Sequence, residues 1–413
     1  MLWRNPIVHS TQARIAILLL AFASHGLAQL PKQTNPQVRQ KTFEVIWKTV
    51  NDKSVAPLYG HVDWAAVKLR YEPQLAAVNS DAEFQKLLDR MLNEIHISHL
   101  HIVDIANLNQ QLSRAVITRG VALRDLDNQV VVTRIIDGSP AAATGLRPGY
   151  VINAIDGVQV VNAKSAETKL AQDNEKRQLT IVDEANTTRE IEIGYALPGA
   201  DKLVSARIGP GSRHVLVETK TIRDEIAYLY FTNFIMPLSK RLTGAIDSMH
   251  NAKGMIIDLR GNSGGETELG LLFAGMLVDK ETLISTTRTR KGETQYKAKP
   301  GKNPYRGPVV VLLDEDCASE SEEMTAGLQA AGRVFVIGRT SRGEDMDATL
   351  EGLPMNSLAL QYPIGLSRTP TGDVIEGRGV IPDLDVKLTR AELLKGKDTQ
   401  LEAAIQHIRA LKQ

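Results

Sequence analysis

The chain has 413 residues, a length typical of two or three domains. Hydrophobic residues make up 43% of it and charged residues 23%, which permits a packed core and excludes wholesale disorder. The net charge of +1, the aromatic content of 5% and the lack of a basic block give no support to nucleic-acid binding.

The first residues have the pattern of a cleavable signal peptide. Arg4 and Arg14 supply positive charge, and the apolar run Ile15–Ala23 is too short to span a bilayer. Small residues up to Ala28 resemble a cleavage site, which predicts a signal peptide over residues 1–28. An uncleaved anchor or a buried helix is the alternative. Cleavage would give an exported protein, periplasmic or secreted, without an integral membrane span.

Residues 29–107 are predicted to form a polar linker, through residue 40, followed by a helical region. Asp63 stands where one helix begins, and Ser80 followed by Glu83 fits a capping box, in which side chains satisfy free backbone amides. Apolar residues then recur at the spacing of an amphipathic helix, namely Phe84, Leu87, Leu88, Met91, Leu92 and Ile95.

From about residue 115 the pattern changes to short strands separated by glycine turns. A β-rich run covers residues 129–136, and a turn with Gly145 and Gly149 leads into the strand predicted at 151–155. The order and spacing of these motifs resemble a PDZ domain, here assigned to residues 108–198.

The resemblance to a PDZ domain implies a way of binding peptides. A peptide would add a strand to the sheet edge, and backbone amides of one loop would receive its free C-terminal carboxylate. That loop corresponds to Gly120, Val121, Ala122 and Leu123. The alternative is that the glycines only make turns in a small β domain.

Residues 199–390 alternate predicted strands with predicted helices, which indicates βαβ units around a parallel sheet. The strands are predicted at 226–231, 254–259, 308–313 and 334–337, and the helices at 238–250 and 320–331. The final segment, 391–413, is predicted to contain an amphipathic helix at 395–411.

The second of these strands runs into the motif Asp-Leu-Arg-Gly-Asn-Ser-Gly-Gly at residues 258–265. Paired glycines after a strand let backbone N–H groups approach a reacting carbonyl, as in an oxyanion hole. A phosphate-binding loop is the alternative, but the Gly-Lys-Ser/Thr of such loops is missing. The motif resembles the core signature of tail-specific (C-terminal processing) and tricorn-core serine proteases. That resemblance implies an oxyanion donor at Gly264 or Gly265.

A second strand–turn–helix segment carries the candidate nucleophile. Residues 314–322 resemble the Ser-Ala-Ser-Glu block of the same proteases, and the resemblance puts the nucleophile at Ser319. A serine at a helix N-terminus lies near free amides and the positive end of the helix dipole. The backbone amide of Glu320 is then expected to be a second oxyanion donor.

Three other interpretations of this segment stay open. Ser319 with Glu322 also fits a capping box, and Ser321 is a second choice of nucleophile. The single cysteine, Cys317, could act as a thiol nucleophile, but a small residue packed beside the site is favoured. One cysteine cannot form an internal disulfide, so it does not reveal the compartment.

The general base is not where the resemblance to the bacterial processing proteases would put it. They use a lysine in a Gly-x-x-[Thr/Ser]-x-Gly-Lys stretch, and here Glu344 stands at the lysine position. No lysine occurs between Lys302 and Lys387, and the nearby Arg339 and Arg342 cannot deprotonate. A Ser–Lys pair is therefore missing.

The tricorn core offers another catalytic set, in which a Ser-His pair, a nucleophilic serine and a late glutamate form a tetrad. Ser98-His99 resembles the first pair, and Glu376 lies in a segment that resembles the closing Glu-x-x-Gly-Val-x-Pro-Asp. The resemblance implies His99 as the general base, Ser98 orienting its imidazole and Glu376 holding Ser98. If His99 is the base, kcat/KM is expected to rise with pH through one ionisation near a histidine value, roughly 6–7.

These residues also have plainer explanations. His96, His99 and His101 could be a zinc cluster, although their spacing is loose for one helix face. His99 could be an ordinary histidine at a helix end, and Glu376 could cap a turn.

The predicted fold class is α/β plus all-β: an N-terminal helical region, a PDZ β domain, and a mixed α/β (crotonase-like, ClpP-like) protease core. The predicted function is a serine endopeptidase that forms an acyl-enzyme and needs no cofactor or metal, with polypeptide substrates bound through their free C-termini. No nucleic-acid partner is expected, and an oligomer is possible. The alternative is an inactive protease-like scaffold that binds peptides through its PDZ domain, and Glu344 is its strongest argument.

Overall fold

The computed structural model describes residues 35–105, 114–172, 175–208 and 211–411. The predicted signal peptide, most of the predicted linker and the predicted boundary near residue 108 lie outside these ranges. The helices are α1 (Pro36–Asp52), α2 (Ala56–Tyr59), α3 (Trp64–Tyr71), α4 (Asp81–Asn93), α5 (Ala115–Thr118), α6 (Pro140–Ala143), α7 (Ala163–Ala171), α8 (Ser239–Ser248), α9 (Thr267–Gly275), α10 (Glu320–Ala330), α11 (Arg390–Leu394) and α12 (Thr399–Ala410). None of these described helices is both long and apolar enough to cross a bilayer.

The strands are β1 (His101–Asp104), β2 (Val121–Leu126), β3 (Gln129–Ile135), β4 (Val151–Ile155), β5 (Val158–Gln159), β6 (Arg177–Val182), β7 (Thr188–Ile193), β8 (Leu203–Ile208), β9 (Gly211–Ile222), β10 (Ile226–Phe231), β11 (Gly254–Asp258), β12 (Thr282–Thr289), β13 (Gly292–Ala298), β14 (Val309–Leu313), β15 (Phe335–Gly338), β16 (Met346–Gly352), β17 (Leu358–Arg368) and β18 (Leu384–Asp385). They form sheets of five, seven and six strands.

The N-terminal region is helical, as predicted, but the first helix begins earlier than expected. The prediction of a linker through residue 40 is wrong for residues 36–40, because α1 starts at Pro36. Proline is favoured at a first helical position, and the side chain of Asn35 accepts a hydrogen bond from the amide of Gln37 at 2.9 Å. The predicted cap of α4 is confirmed, since Ser80 Oγ accepts from the amide of Glu83 at 3.1 Å.

The helical region packs on the five-stranded sheet. Its strand order is β1-β17-β12-β13, and β16 also pairs with β17. Buried Phe43 and Phe84 share one core with Leu358 and Leu360 of β17. Strand β1 follows the α4 helix after a short loop and pairs with β17 in antiparallel fashion. This pairing fixes the position of the loop that contains Ser98-His99 relative to the five-stranded sheet.

The middle region is a six-stranded sheet ordered β2-β3-β4-β6-β7, with β5 paired to β4. Strand β2 lies at the sheet edge and α7 packs beside it, which is the groove arrangement that a PDZ domain requires.

The seven-stranded sheet is ordered β18-β15-β14-β11-β10-β9-β8, and β10, β11, β14, β15 and β18 run parallel. All residues of β11 and β14 are buried, as expected of strands covered on both faces. Asp258 at the end of β11 pairs with Leu312 near the end of β14. The glycine-rich loop and the segment with Ser319 therefore leave the sheet side by side.

The C-terminal helix differs from the prediction of one helix over 395–411. Helices α11 and α12 are separate, and Gly396 between them has a φ of +72°. Asp398 then caps α12 by accepting from the amides of Gln400 and Leu401 at 3.1 and 3.0 Å. Because a left-handed residue ends a helix, residues 395–398 cannot continue one.

Candidate active site

Ser319 occupies a strained turn between β14 and α10. Its φ and ψ are 56° and −131°, a conformation that non-glycine residues adopt at a cost of roughly 1–3 kcal/mol. The amide of Ser319 donates to the carbonyl of Glu344 at 2.8 Å and to Oε2 of Glu322 at 3.0 Å. The capping contact with Glu322 is thus present, and the turn holds Ser319 half-buried at the helix N-terminus.

The two neighbouring candidates have structural roles. Ser321 Oγ is buried and donates to the carbonyls of Asn262 and Ala318, both at 2.8 Å. The thiol of Cys317 is also buried, contacts the carbonyl of Leu259 at 3.0 Å, and has a pKa raised well above the usual range by burial. A buried, protonated thiol is a poor nucleophile, so Cys317 is better described as a packed small residue.

The two glycines of the glycine-rich loop differ in what they can donate. The amide of Gly264 is taken by Asn262 Oδ1 at 2.9 Å, and a Cβ on Gly264 would lie 2.7 Å from the Cβ of Ser319. Within the described residues, the amides of Gly265 and Glu320 have no hydrogen-bond acceptor. Of the three oxyanion donors predicted, Gly265 and Glu320 are available, and Gly264 instead provides close backbone approach.

The predicted Ser98, His99 and Glu376 come together in one hydrogen-bonded group. Ser98 Oγ lies 2.7 Å from His99 Nδ1 and donates to Glu376 Oε2 at 2.8 Å. The amide of Ser98 donates to Glu376 Oε1, also at 2.8 Å. Since the Ser98 hydroxyl gives its only hydrogen to Glu376, it accepts from Nδ1–H of His99. That tautomer leaves Nε2 of His99 with a free lone pair, as a general base needs.

One peptide unit connects this group to the nucleophile turn. The carbonyl of Glu344 accepts from the amide of Ser319, and the next amide, that of Asp345, donates to Glu376 Oε2 at 2.8 Å. Among the described residues no hydrogen bond joins the His99 ring to Ser319. The structure therefore brings the four predicted residues into one connected network, with the final link from His99 to Ser319 not made.

Burial sets the protonation state of His99. It lowers the pKa of His99 to about 4, below the value expected of an unperturbed histidine, although the carboxylate of Glu344 acts in the opposite direction. Nearby His101 lowers it further. The ring of His99 is therefore neutral, and able to accept a proton, at pH values above this pKa of about 4.

Glu344 lies where the lysine of the processing proteases would be. Its side chain is 47% exposed and pairs with Arg342 at 3.5 Å. Its own amide donates to Glu322 Oε2 at 3.0 Å. Glu344 thus contributes its backbone to the nucleophile turn and its charge to the surroundings of His99.

The histidines near β1 do not gather into a metal site. His96 is exposed, and no group of three His, Cys, Asp or Glu side chains in the described ranges is arranged to hold a metal ion.

The PDZ groove contains two side chains that the sequence did not single out. Glu167 of α7 accepts from the amide of Leu123 at 3.1 Å, and Arg124 donates to the carbonyl of Leu123 at 2.6 Å. These are groups of the β2 edge that an added peptide strand would use. Arg124 also pairs with Asp314, just before the nucleophile turn, at 2.6 Å. In the loop predicted to receive the peptide carboxylate, the amide of Gly120 also has a partner already, because it donates to the carbonyl of Ala115.

The chain matches three family models, each over one of the regions described above. Residues 36–93 match the Tricorn protease C1 domain, residues 119–191 match the PDZ domain, and residues 225–386 match Peptidase family S41. The matches follow the division into helical region, PDZ domain and protease core.

Curated relatives cover much of the chain at low identity. The carboxy-terminal-processing protease of Bartonella bacilliformis is 26% identical over 77% of this chain and 73% of its own length. The carboxyl-terminal-processing protease of Synechocystis is 23% identical over 95% of this chain and 92% of its own length. The carboxy-terminal processing protease CtpA of Bacillus subtilis is 28% identical over 65% of this chain and 56% of its own length.

Solved structures show the same fold. The photosystem II D1 C-terminal processing protease has a TM-score of 0.56 and 19% identity, and the match covers 89% of this chain and 96% of that one. The tricorn protease has a TM-score of 0.54 and 18% identity, covering 92% of this chain and 37% of that one. Fold, site and comparisons together define a serine peptidase core preceded by a PDZ domain. The core, residues 225–386, matches Peptidase family S41, and the curated relatives that the chain resembles are carboxy-terminal processing proteases.

Proposed function

We propose that the chain is an active serine endopeptidase in which Ser319 attacks the substrate carbonyl and His99 is the general base. The observation that carries this proposal is the network that runs from the Ser319 amide, through the Glu344–Asp345 peptide unit, to Glu376, Ser98 and His99. A scaffold without catalytic function would have no need of a neutral histidine held with a free Nε2 lone pair in the same network as a strained serine.

The reaction follows from these positions. Ser319 Oγ forms a bond to the substrate carbonyl carbon while its proton passes to Nε2 of His99. The amides of Gly265 and Glu320 stabilise the negative oxygen of the tetrahedral intermediate. The C–N bond then breaks, and the leaving amine takes the proton from His99. Water, deprotonated by His99, then attacks the acyl carbon. The ester C–O bond breaks, His99 returns the proton to Ser319 Oγ, and the new carboxylic acid leaves.

Labelling with a fluorophosphonate probe tests whether the serine is activated. The mature chain should be labelled at Ser319, as located by mass spectrometry of the digested protein. No labelling at any pH between neutral and mildly alkaline would favour the scaffold without catalytic activity.

The PDZ domain is proposed to bind the free C-termini of polypeptide substrates. The groove between β2 and α7 supports this, because β2 is a sheet edge with amides directed toward the groove. Glu167 and Arg124 now hold the two backbone groups of Leu123. A bound peptide must displace them, so both side chains should affect affinity.

In the Ser319→Ala chain, a peptide with a free C-terminus should bind about tenfold more tightly than its amidated form, because a charged hydrogen-bonding group is lost on amidation. Glu167→Ala should raise the affinity of both, since the Leu123 amide becomes free. Fluorescence titration measures both effects, with Glu192→Ala on the exposed face of β7 as the matched control. Equal affinity for the two peptide forms would contradict carboxylate recognition.

Export to the periplasm or outside the cell is proposed from the N-terminal pattern alone. Expression of the full chain in a bacterial host, followed by fractionation and N-terminal sequencing, should find the protein outside the cytoplasm with Gln29 as its first residue. A cytoplasmic protein that retains Met1 would contradict the proposal. Self-association is tested on the same sample by light scattering.

A further inference from the structure

Four carboxylates lie together beside the nucleophile without belonging to the catalytic network. Glu320 and Glu323 are on α10, and Asp345 and Asp347 are at the start of β16. Glu320, Glu323 and Asp345 are only 2%, 4% and 3% exposed, and Asp347 is half-buried. These four residues are called the acidic cluster below.

The partners of the acidic cluster are hydroxyl groups, not cations. Ser285 Oγ donates to Glu323, and the hydroxyls of Thr267 and Thr287 lower the pKa of Glu320 and of Asp347 respectively, against the effect of burial. No Lys or Arg of the described ranges forms an ion pair with any of the four carboxylates.

Two oxygens of the acidic cluster have no hydrogen-bond donor at all within the described residues. They are Oε2 of Glu320 and Oδ2 of Asp345, both fully shielded from solvent. Buried carboxyl oxygens are almost always bonded, so two unpartnered oxygens within one acidic cluster indicate a ligand that hydrogen-bonds to them.

The electrostatics agree with this geometry. Burial raises the pKa of Glu323 to about 8, and burial together with the neighbouring carboxylates raises the pKa of Asp345. The other groups that face the cluster are acidic or phenolic as well, namely Glu268, Glu322 and Tyr296. Strongly perturbed carboxyl groups without a cation of their own are typical of binding sites rather than of cores.

The position of the cluster relates it to the bond that would be cleaved. Glu320 directly follows Ser319, and its amide is a candidate oxyanion donor, while its buried carboxylate lies against Gly270 of α9. The other donor, Gly265, is exposed and leads directly into α9, the helix that packs against Glu320. A Cβ on Gly270 of α9 would lie 1.6 Å from Glu320 Oε1, so a side chain at residue 270 would displace this carboxylate.

The cluster reaches the surface beside these donors. Glu268 is exposed and Tyr296 is half-buried, and the carboxylates of Asp347 and Glu323 help to raise the pKa of Tyr296 to about 12. Glu268 of α9 and Tyr296 of β13 therefore mark the side of the cluster that is nearest to solvent.

We propose that the acidic cluster is the specificity pocket for the residue whose carbonyl Ser319 attacks, and that this residue is lysine or arginine. The inference rests on the peptidase function proposed above. A lysine ammonium or arginine guanidinium supplies the donors that Glu320 Oε2 and Asp345 Oδ2 lack, at the end of a long apolar stem. A metal ion fits less well, because no described group of three ligating side chains has the arrangement for one.

The first experiment compares cleavage of fluorogenic peptides that differ only at the residue before the scissile bond, with lysine, arginine, norleucine or glutamate. The wild-type mature chain should show a kcat/KM about 100-fold higher for lysine or arginine than for norleucine, and lowest for glutamate. Glu323→Gln should reduce the lysine-to-norleucine ratio at least about tenfold. The exposed Glu281→Gln should leave that ratio unchanged. Equal rates for lysine and norleucine with a wild-type enzyme that cleaves both would overturn the pocket and leave the peptidase function standing.

The second experiment does not depend on turnover. Titration calorimetry of the lysine peptide into the Ser319→Ala chain, in two neutral buffers of different ionisation enthalpy, reports protons released on binding. A cation entering protonated carboxyls should release about one proton, and the norleucine peptide should release none. Proton release by the Ser319→Ala chain, together with a wild-type chain that no fluorophosphonate labels, would support the pocket while the proposed catalysis fails. Identical proton counts for the two peptides would overturn the pocket.

Discussion

Replacing Ser319 with alanine should lower kcat/KM for an unfolded protein substrate by about 10⁴-fold or more, since a catalytic nucleophile is lost outright. The fold should survive, because the bonds of Ser319 to Glu344 and Glu322 that the structure shows use its backbone amide. Release of fluorescent fragments from labelled casein measures the activity. Circular dichroism and thermal unfolding report the fold.

Two variants separate loss of the nucleophile from loss of the turn. Ser319→Gly should unfold at a higher temperature than Ser319→Ala, because glycine adopts the φ of 56° without strain. Cys317→Ala should keep activity within about tenfold, since the buried thiol is not placed to attack and only a small volume is lost. Full activity in Ser319→Ala would contradict the assignment and with it the proposed reaction.

The parts of the fold that were predictable are those with strong local patterns. The strand Ile226–Phe231 and the ends of β11, β14 and α10 agree with the prediction to within a residue or so, because apolar runs and glycine turns define them. The cap at Ser80 was predictable for the same reason, since its partner is three residues away.

The five-stranded sheet was not predicted, and its strands show why. Strand β12, Thr282–Thr289, is rich in threonine, and β13, Gly292–Ala298, is mostly polar and exposed, so neither has a strong apolar pattern. Strand β1 pairs with β17 more than 250 residues away, as in His101 with Gln361. Pairing over such a distance depends on the assembled core, which no local window contains.

The candidate site, like the fold, has parts that the sequence predicted and parts that it did not. Ser98, His99, Ser319 and Glu376 were found from motifs, and three of them form the predicted hydrogen-bonded group. The peptide unit that joins this group to Ser319 could not be found, since its role depends on backbone direction at residue 344 and not on a side chain.

Other features of the site arise only from tertiary packing. The contact of Glu167 with Leu123 exists because α7 packs along β2, and a glutamate in a polar helix carries no signal of it. The acidic cluster combines residues of α10 and β16 that share no sequence motif. Its Glu322 neighbour was interpreted as a cap, and the structure agrees.

His99→Ala should lose about as much activity as Ser319→Ala, since members of a catalytic set act as one unit. Glu376→Gln should lose less, because Glu376 acts on His99 through Ser98. Initial rates with the same labelled substrate give both values. A His99→Ala enzyme within about tenfold of wild type would show that His99 is not the base.

The pH dependence gives a sharper test of the same residue. Burial lowers the pKa of His99 to about 4, so kcat/KM should rise through one ionisation near this value and not near that of an ordinary histidine. The value of kcat/KM rises with pH because His99 can act as a base only when its ring is neutral. Glu344 raises the pKa of His99, so Glu344→Gln should move this acid limb to lower pH, while the control Glu315→Gln on the exposed surface should not.

The unfolded chain binds a proton at its histidine that folded His99 does not, so stability also falls as the pH drops below the ordinary histidine value. Each sample is therefore returned to neutral pH to check that its activity recovers. An acid limb that stays in place in Glu344→Gln, or that lies at the ordinary histidine value, would mean that the ionising base is not the buried His99.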